Sequence, residues 1–169
     1  AALGRDFEDS PITVINLGRP RQTAAAALAR FRKEILPRTP TLVIWETGTV
    51  EAVRNADLMA FRDTLQQGIS ILRPGTEIVL VDQQFSPLTH AIIDFEPYKN
   101  ALRVTADLND VPLFPRDDLM REWLELGEID YSVKGKKQQQ ALARQVYQCI
   151  GAAMAAFVTR LPIGSEVGR

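Results

Sequence analysis

Short hydrophobic runs alternate with longer helical patterns along this chain. Four runs rich in β-branched and large apolar residues predict strands at residues 11–16, 41–45, 77–81 and 111–114. The second and third runs are almost continuously apolar, which is typical of strands that are covered on both faces. Gly and Pro residues lie close to these runs, so the pattern predicts buried strands separated by turns.

Apolar residues recur at helical spacing between and after these runs, and they predict helices. The first covers residues 23–36 and is ended by Pro37. The second begins after Asp57, whose carboxylate is expected to cap it. A loop is predicted at 82–97. The remaining helices are predicted at 97–108, 116–126 and 138–161.

The alternation of strands and helices predicts an α/β fold, a three-layer α/β/α sandwich with a mainly parallel sheet. No internal repeat or linker interrupts the pattern, so residues 1–169 are predicted to form one domain. Ligands of such sheets bind at the carboxyl ends of the strands. The candidate cleft residues are therefore those that follow the strands: Gly18, Gln22, Glu46, Gly48, Thr49, Glu51, Asp82 and His90.

The composition excludes several classes of function. The 20 basic and 21 acidic residues give a net charge of -1 without a basic stripe, which argues against nucleic-acid binding. The apolar runs are much shorter than the roughly 18 residues of a membrane span. One cysteine, Cys149, and one histidine, His90, are too few for an internal disulfide or a His-rich metal site. We expect no metal and no cofactor.

Two segments at strand ends carry a resemblance to a known family. Residues 14–24 (VINLGRPRQTA) resemble a "VVNxGxxGxTA" segment, and residues 42–52 (LVIWETGTVEA) resemble a "LVIWxxGTNDA" segment. Residues 98–114 and 119–123 agree as well, so the similarity covers nearly the whole chain. The family is that of the SGNH, or GDSL-type, hydrolases, bacterial esterases and lipases among them. The resemblance implies a flavodoxin-like sheet, and a periplasmic or secreted location is expected from it.

The resemblance also implies a catalytic serine, a histidine base with an aspartate partner, and an oxyanion hole that includes a glycine and an asparagine. In this chain the glycine position is Arg21 and the asparagine position is Val50, with Glu51 after it. The closing D-x-x-H falls on Gly127 and Asp130, and sliding the register by three does not supply a histidine either. Every catalytic role is thus substituted or absent.

The nucleophile of the family lies at the end of a strand that precedes the segment at Val14. Ser10 superficially resembles it, but no helix separates Ser10 from the next predicted strand. The first strand and helix of the fold are therefore predicted to be missing from this chain. Three explanations are open. An upstream segment supplies the missing strand, another chain supplies it in an oligomer, or the predicted strands at Ile12 and Leu42 pair directly with each other.

The expected function is a hydrolase-like pseudoenzyme that binds a small molecule or a protein partner in a remodelled cleft. Alternatives are an active esterase whose serine lies upstream, and a purely structural interaction domain. Arg21 is expected either to hold an anionic group or to form an ion pair with Glu46 or Glu51. His90 is either a relocated base or a loop residue. The carboxylates, Asp82 included, form either an acid–base or cation-binding pair or ordinary loop hydrogen bonds.

Overall fold

The computed structural model describes residues 12–161. The chain divides into two compact units. The first, Arg19–Arg121, contains the sheet and is called the sheet unit. Among the described residues, the second combines residues 12–18 with residues 122–161 and is called the terminal unit. Each is described by itself.

The sheet unit contains three parallel strands in the order β1 (Leu42–Glu46), β2 (Glu77–Val81) and β3 (Leu113–Phe114). Leu42 pairs with Glu77 and Glu46 with Val81, and Val81 also pairs with Phe114. The three strands therefore end at the same level. The prediction of a mainly parallel sheet is confirmed, and the two continuous apolar runs form its two longest described strands.

Six helices precede, connect and follow these strands, and α1, α3, α5 and α6 lie where the hydrophobic pattern predicts helices. They are α1 (Ala24–Arg30), α2 (Thr49–Val53), α3 (Leu58–Leu72), α4 (Pro87–His90), α5 (Glu96–Leu108) and α6 (Arg116–Glu125). The cap of α3 is as expected, because the Asp57 carboxylate accepts a hydrogen bond of 2.7 Å from the Ala60 N–H. In the terminal unit, α7 covers Lys136–Thr159.

One face of the sheet packs against α1, α3 and α5. Ile78 and Leu80 of β2 join a core that includes Leu65 and Leu102, both fully buried. Phe31 packs edge-on against Trp45, with ring centroids 4.9 Å apart. Side chains alternate along a strand, so the burial of Val79 means that the opposite face is covered at β2. Its partner Ile44 in β1 is 42% exposed, so that face is less covered at β1.

The structure differs from several local predictions. Residues 12–16 form no strand, and Val14 is 67% exposed, because no ladder partner satisfies their backbone there. Direct pairing with the strand at Leu42, which needs a strand here, is excluded for these residues; Pro11 lies outside the described residues. The loop predicted at 82–97 contains α4, and α2 was not predicted.

A further correction concerns the end of the first helix. Regular α geometry stops at Arg30 and is followed by a wider turn, Phe31–Ile35, and a tighter one, Leu36–Arg38. Pro37 has no N–H to donate to the Lys33 carbonyl, so the α-helical ladder cannot continue through this segment.

Candidate functional site

The carboxyl ends of the three strands bring polar residues together at one edge of the sheet. Glu46 ends β1, Asp82 follows β2, and Arg116 follows β3 after a single proline. The Arg116 side chain is only 5% exposed, and its Nη2 donates to Glu46 Oε1 at 2.8 Å and to the Asp82 carbonyl at 2.7 Å. One buried guanidinium thus links all three strand ends. Its Nε has no hydrogen-bond partner among residues 12–161.

Asp82 is buried beneath this link. Its Oδ1 accepts a hydrogen bond of 2.9 Å from the Asp117 N–H in the first turn of α6. Its Oδ2 contacts no donor in the described part of the chain. Burial raises the pKa of Asp82 to about 6, and the neighbouring Asp117 carboxylate adds to this effect. The fold therefore disfavours the ionised form of this carboxyl group.

Asp117 is the centre of a charged network beside this edge. Its Oδ2 accepts from Lys99 Nζ at 2.9 Å and from Arg121 Nε at 2.7 Å. Lys99, itself 5% exposed, also donates to Asp118 at 2.7 Å. Burial opposes the charge of Asp117, but the hydrogen bonds from Arg121 and Lys99 outweigh it and lower its pKa. For Lys99 burial is likewise outweighed, by Asp118 and Asp117, and its pKa is raised.

Both nitrogens of the His90 ring, at the end of α4, lie close to polar atoms. Nε2 is buried 2.7 Å from Asp117 Oδ1, a close contact that lacks hydrogen-bond geometry. Nδ1 lies 3.1 Å from the Ser86 carbonyl oxygen and 3.4 Å from the Ser86 nitrogen. The ring also stacks on Phe95, with centroids 4.4 Å apart. A general base needs a free nitrogen lone pair next to the nucleophile. Nε2 is buried against the Asp117 carboxylate and Nδ1 contacts the Ser86 backbone, so neither nitrogen faces a nucleophile among residues 12–161.

A glycine and a buried amide meet at the start of α2. Gly48 precedes α2 with a φ of +93°, and a Cβ there would lie 2.4 Å from Gln83 Nε2. Gln83 is completely buried, and both atoms of its amide are without a hydrogen-bond partner among residues 12–161. Only glycine leaves room for this amide.

Glu51 lies one turn into α2 and is 4% exposed. Its Oε1 accepts a hydrogen bond of 2.6 Å from the Ala24 N–H, so the carboxylate satisfies the first turn of α1. Its Oε2 and the hydroxyls of Thr47 and Thr49 contact no donor or acceptor within the described ranges. Buried polar atoms are normally paired, so this concentration at one sheet edge is unusual.

Three other predicted residues, Arg21, Gln22 and Val50, belong to the sheet unit. Arg21 is exposed, has a φ of +60° and forms no ion pair with either predicted partner within residues 12–161. Glu46 pairs instead with Arg116, and Glu51 with a backbone N–H, so the predicted ion pair of Arg21 is wrong. Gln22 accepts a hydrogen bond of 2.8 Å from Arg30. Val50 is half-buried in α2 and carries no hydrogen-bonding group.

The terminal unit contains the remaining predicted residues. The Gly18 N–H donates to Asn16 Oδ1 at 2.9 Å. Gly127 has a φ of +72° just after α6, where glycine commonly ends a helix. Hydrogen bonds from Ser132 lower the pKa of Asp130. A shallow groove of about 330 Å³ is lined by Gly127, Glu128, Asp130, Val133, Gln138, Ala141, Leu142 and Gln145.

The sequence did not predict three residues of the sheet edge: Arg116, Asp117 and Lys99. Arg116 and Asp117 lie in the segment after Phe114, which the strand-end rule indicates without selecting a residue. Lys99 lies in the middle of an amphipathic helix, and nothing local marks it as buried. Within residues 12–161 no three His, Cys, Asp or Glu side chains are grouped so as to hold a metal ion. No helix in the same range is long and apolar enough to span a membrane.

Comparisons with known proteins identify the family of this chain. A model of the Non-GDSL lipase-like family matches residues 1–161. The chain belongs to the Non-GDSL lipase-like family. The search of curated proteins returned no match to it.

This Non-GDSL lipase-like protein shares its fold with solved structures of SGNH/GDSL hydrolases. A lipase/acylhydrolase from Enterococcus faecalis is 19% identical, with a TM-score of 0.69 over 93% of this chain and 82% of that one. TesA is 18% identical, with a TM-score of 0.61 over 89% and 86%. A G-D-S-L family protein from Desulfitobacterium hafniense DCB-2 is 18% identical, with a TM-score of 0.55 over 66% of this chain. The chain spans 62% of that protein, less than two thirds of its length. The predicted resemblance is confirmed at the level of fold and family.

Proposed function

We propose that this protein binds a small polar ligand at the carboxyl edge of its sheet and does not hydrolyse esters. The observation that carries the proposal is the environment of His90. It is the only histidine of the chain, and its ring nitrogens lie against Asp117 and Ser86. Without a base, a serine supplied from elsewhere would not be activated as a nucleophile.

The substituted oxyanion positions support the same proposal. Val50 occupies the place of the asparagine that donates a hydrogen bond in SGNH hydrolases, and valine has no donor. Loss of one such donor costs about 3–4 kcal/mol of transition-state stabilisation. Arg21 replaces the glycine, in a left-handed backbone conformation that glycine adopts more readily. Both changes weaken acyl transfer and leave the fold intact.

Binding is supported by the buried polar atoms at the sheet edge. Gln83, Asp82 and Arg116 each carry a buried atom that lacks a partner among the described residues. Such atoms cost about 1–3 kcal/mol each when nothing satisfies them. A ligand that supplies the missing hydrogen bonds stabilises the fold, and this effect is measurable as a rise in Tm.

Ester hydrolysis and ligand binding can be tested on the same preparation. Hydrolysis of p-nitrophenyl acetate and butyrate is expected to equal the buffer rate, in wild type and His90→Ala alike. A thermal-shift screen of small polar compounds is expected to find at least one that raises Tm in a concentration-dependent way. Turnover that disappears in His90→Ala would instead support an active esterase. No turnover and no ligand would support a structural interaction domain.

A further inference from the structure

Cationic side chains are concentrated in one segment of the sheet unit. Residues 19–38 contain five arginines and one lysine but a single acidic residue, Glu34. The whole chain has a net charge of -1, so the remaining residues carry an acidic excess. The cations are spread along α1 and the turns that follow it, and for this reason no continuous basic stripe marks them in the sequence.

Three of the arginines converge on Glu34. Its carboxylate lies 2.6 Å from Arg30 Nη2 and 3.0 Å from Arg19 Nη2, and its backbone carbonyl accepts a hydrogen bond from Arg38 Nη1. The hydrogen bond from Arg30 lowers the pKa of Glu34, and the charges of Arg19 and Arg38 add to this effect. One carboxylate carries one negative charge, so it cannot neutralise the three guanidinium groups around it.

The other cations of the segment add to this positive charge. Arg32 and Lys33 directly precede Glu34 in the chain, and both are exposed, as is Arg21. None of these three side chains forms an ion pair with an acidic residue among residues 12–161. Like charges at short range repel one another, so negative charges from outside would relieve the repulsion. We call the six cations the basic surface: Arg19, Arg21, Arg30, Arg32, Lys33 and Arg38.

The surroundings of the basic surface restrict the kind of anion that fits. Guanidinium groups bind carboxylates in a bidentate way. No large apolar side chain is exposed within residues 19–38, so the surface has no anchor for insertion into a membrane. A long polyanion such as nucleic acid would also approach the acidic remainder of the chain, which repels it. A short acidic segment can contact the basic surface alone.

We infer that the basic surface docks a short acidic segment of a partner protein. Aspartate and glutamate side chains of such a segment accept hydrogen bonds from the exposed cations, while Glu34 holds Arg19 and Arg30 in place. The basic surface shares no residue with the sheet edge described above. The inference therefore holds or fails independently of the proposed ligand-binding function.

The test is a fluorescence-anisotropy titration of the full chain with fluorescein-labelled decaglutamate at physiological ionic strength. Saturable binding that weakens as salt is added is expected. The double variant Arg32→Glu/Lys33→Glu is expected to weaken it tenfold or more. The matched control is Lys136→Glu/Lys137→Glu, which reverses two neighbouring exposed lysines at the start of α7. It changes the net charge equally and is expected to change the affinity less than twofold.

The other outcomes each overturn the inference. Equal weakening by the two double variants would mean that the peptide responds to net charge alone. Absence of binding to wild type would remove the docking site. Tighter binding of phosphatidylglycerol vesicles or of duplex DNA than of decaglutamate would assign the basic surface to a different class of partner. If Arg32→Glu/Lys33→Glu does not fold, as judged by circular dichroism, the exposed Arg21→Glu decides, and unchanged affinity in that variant contradicts the inference.

Discussion

Nε2 of His90 lies 2.7 Å from Oδ1 of Asp117, and the two side chains are 11% and 1% exposed. In a hydrolase a histidine beside an aspartate turns its other nitrogen toward a nucleophile. Here that other nitrogen, Nδ1, lies against the Ser86 backbone, and the ring stacks on Phe95. The contact between His90 and Asp117 therefore joins α4 to the start of α6, and it is arranged for stability and not for proton transfer to a nucleophile.

Asp117→Asn is expected to destabilise the fold by about 3 kcal/mol at pH 7. The change weakens contacts to Lys99 and Arg121 and leaves the Lys99 ammonium buried with less compensation. Asp118→Asn is the matched control. Asp118 contacts the same lysine but is half-exposed, so its replacement is expected to cost less than about 1 kcal/mol. Urea unfolding of both variants measures the difference, and equal losses would contradict a central role for Asp117.

Asp82→Asn is expected to change how stability depends on pH. The folded-state pKa of Asp82 is about 6 against an ordinary 3.8, so the folded protein holds this proton more tightly than the unfolded chain. Wild type therefore loses stability as pH rises from about 4 to 6, and the asparagine variant lacks this loss. Relative to the variant, the free energy of unfolding of wild type should fall by about 2–3 kcal/mol between pH 4 and 7.

Denaturant unfolding at several pH values measures this difference directly. Other titrating groups are common to both proteins, so their contributions largely cancel. The exposed Asp63→Asn is a suitable control for the substitution itself. A constant difference for Asp82→Asn would show that the carboxyl group ionises normally in the fold.

The elements that the sequence predicts well are those with strong local patterns. In α3, Phe61, Leu65 and Ile69 recur at the helical period behind the Asp57 cap, so both the helix and its buried face were predictable. The run at residues 12–16 has an equally good strand pattern but forms no strand. A strand also needs a neighbour that pairs with its backbone, and that requirement is not local.

The sequence predicted where the candidate site lies, at the carboxyl edge of the sheet. It did not predict which side chains contact one another there. Glu46 and Asp82 follow apolar strands, so their place at the sheet edge was predictable from the strand-end rule. Their partner Arg116 is 70 and 34 residues away, respectively, and no spacing in the sequence indicates which acid it binds. The pairing of Lys99 with Asp117, 18 residues apart, was missed for the same reason.

Gly48→Ala is expected to destabilise the protein by about 2–4 kcal/mol. The φ of +93° is strained for alanine, and the new Cβ would lie 2.4 Å from Gln83 Nε2. Gly75→Ala is the matched control, because Gly75 has a φ of +87° and no atom within 4 Å of its Cβ position. It is expected to lose only the backbone contribution, about 1–2 kcal/mol. Equal losses in thermal unfolding would mean that the Gln83 amide moves aside freely.

Gly68→Ala tests the close packing of α3 on β1. A Cβ at Gly68 would lie 2.4 Å from the Trp45 ring and 3.2 Å from Phe31, and both side chains are buried. Overpacking of this kind costs about 1–3 kcal/mol and outweighs the higher helix propensity of alanine. Gly151→Ala in α7 has nothing within 4 Å, so it is expected to stabilise by about 0.5–1 kcal/mol. The two variants should thus shift Tm in opposite directions; a rise for Gly68→Ala would mean that Trp45 has room to move away from the helix.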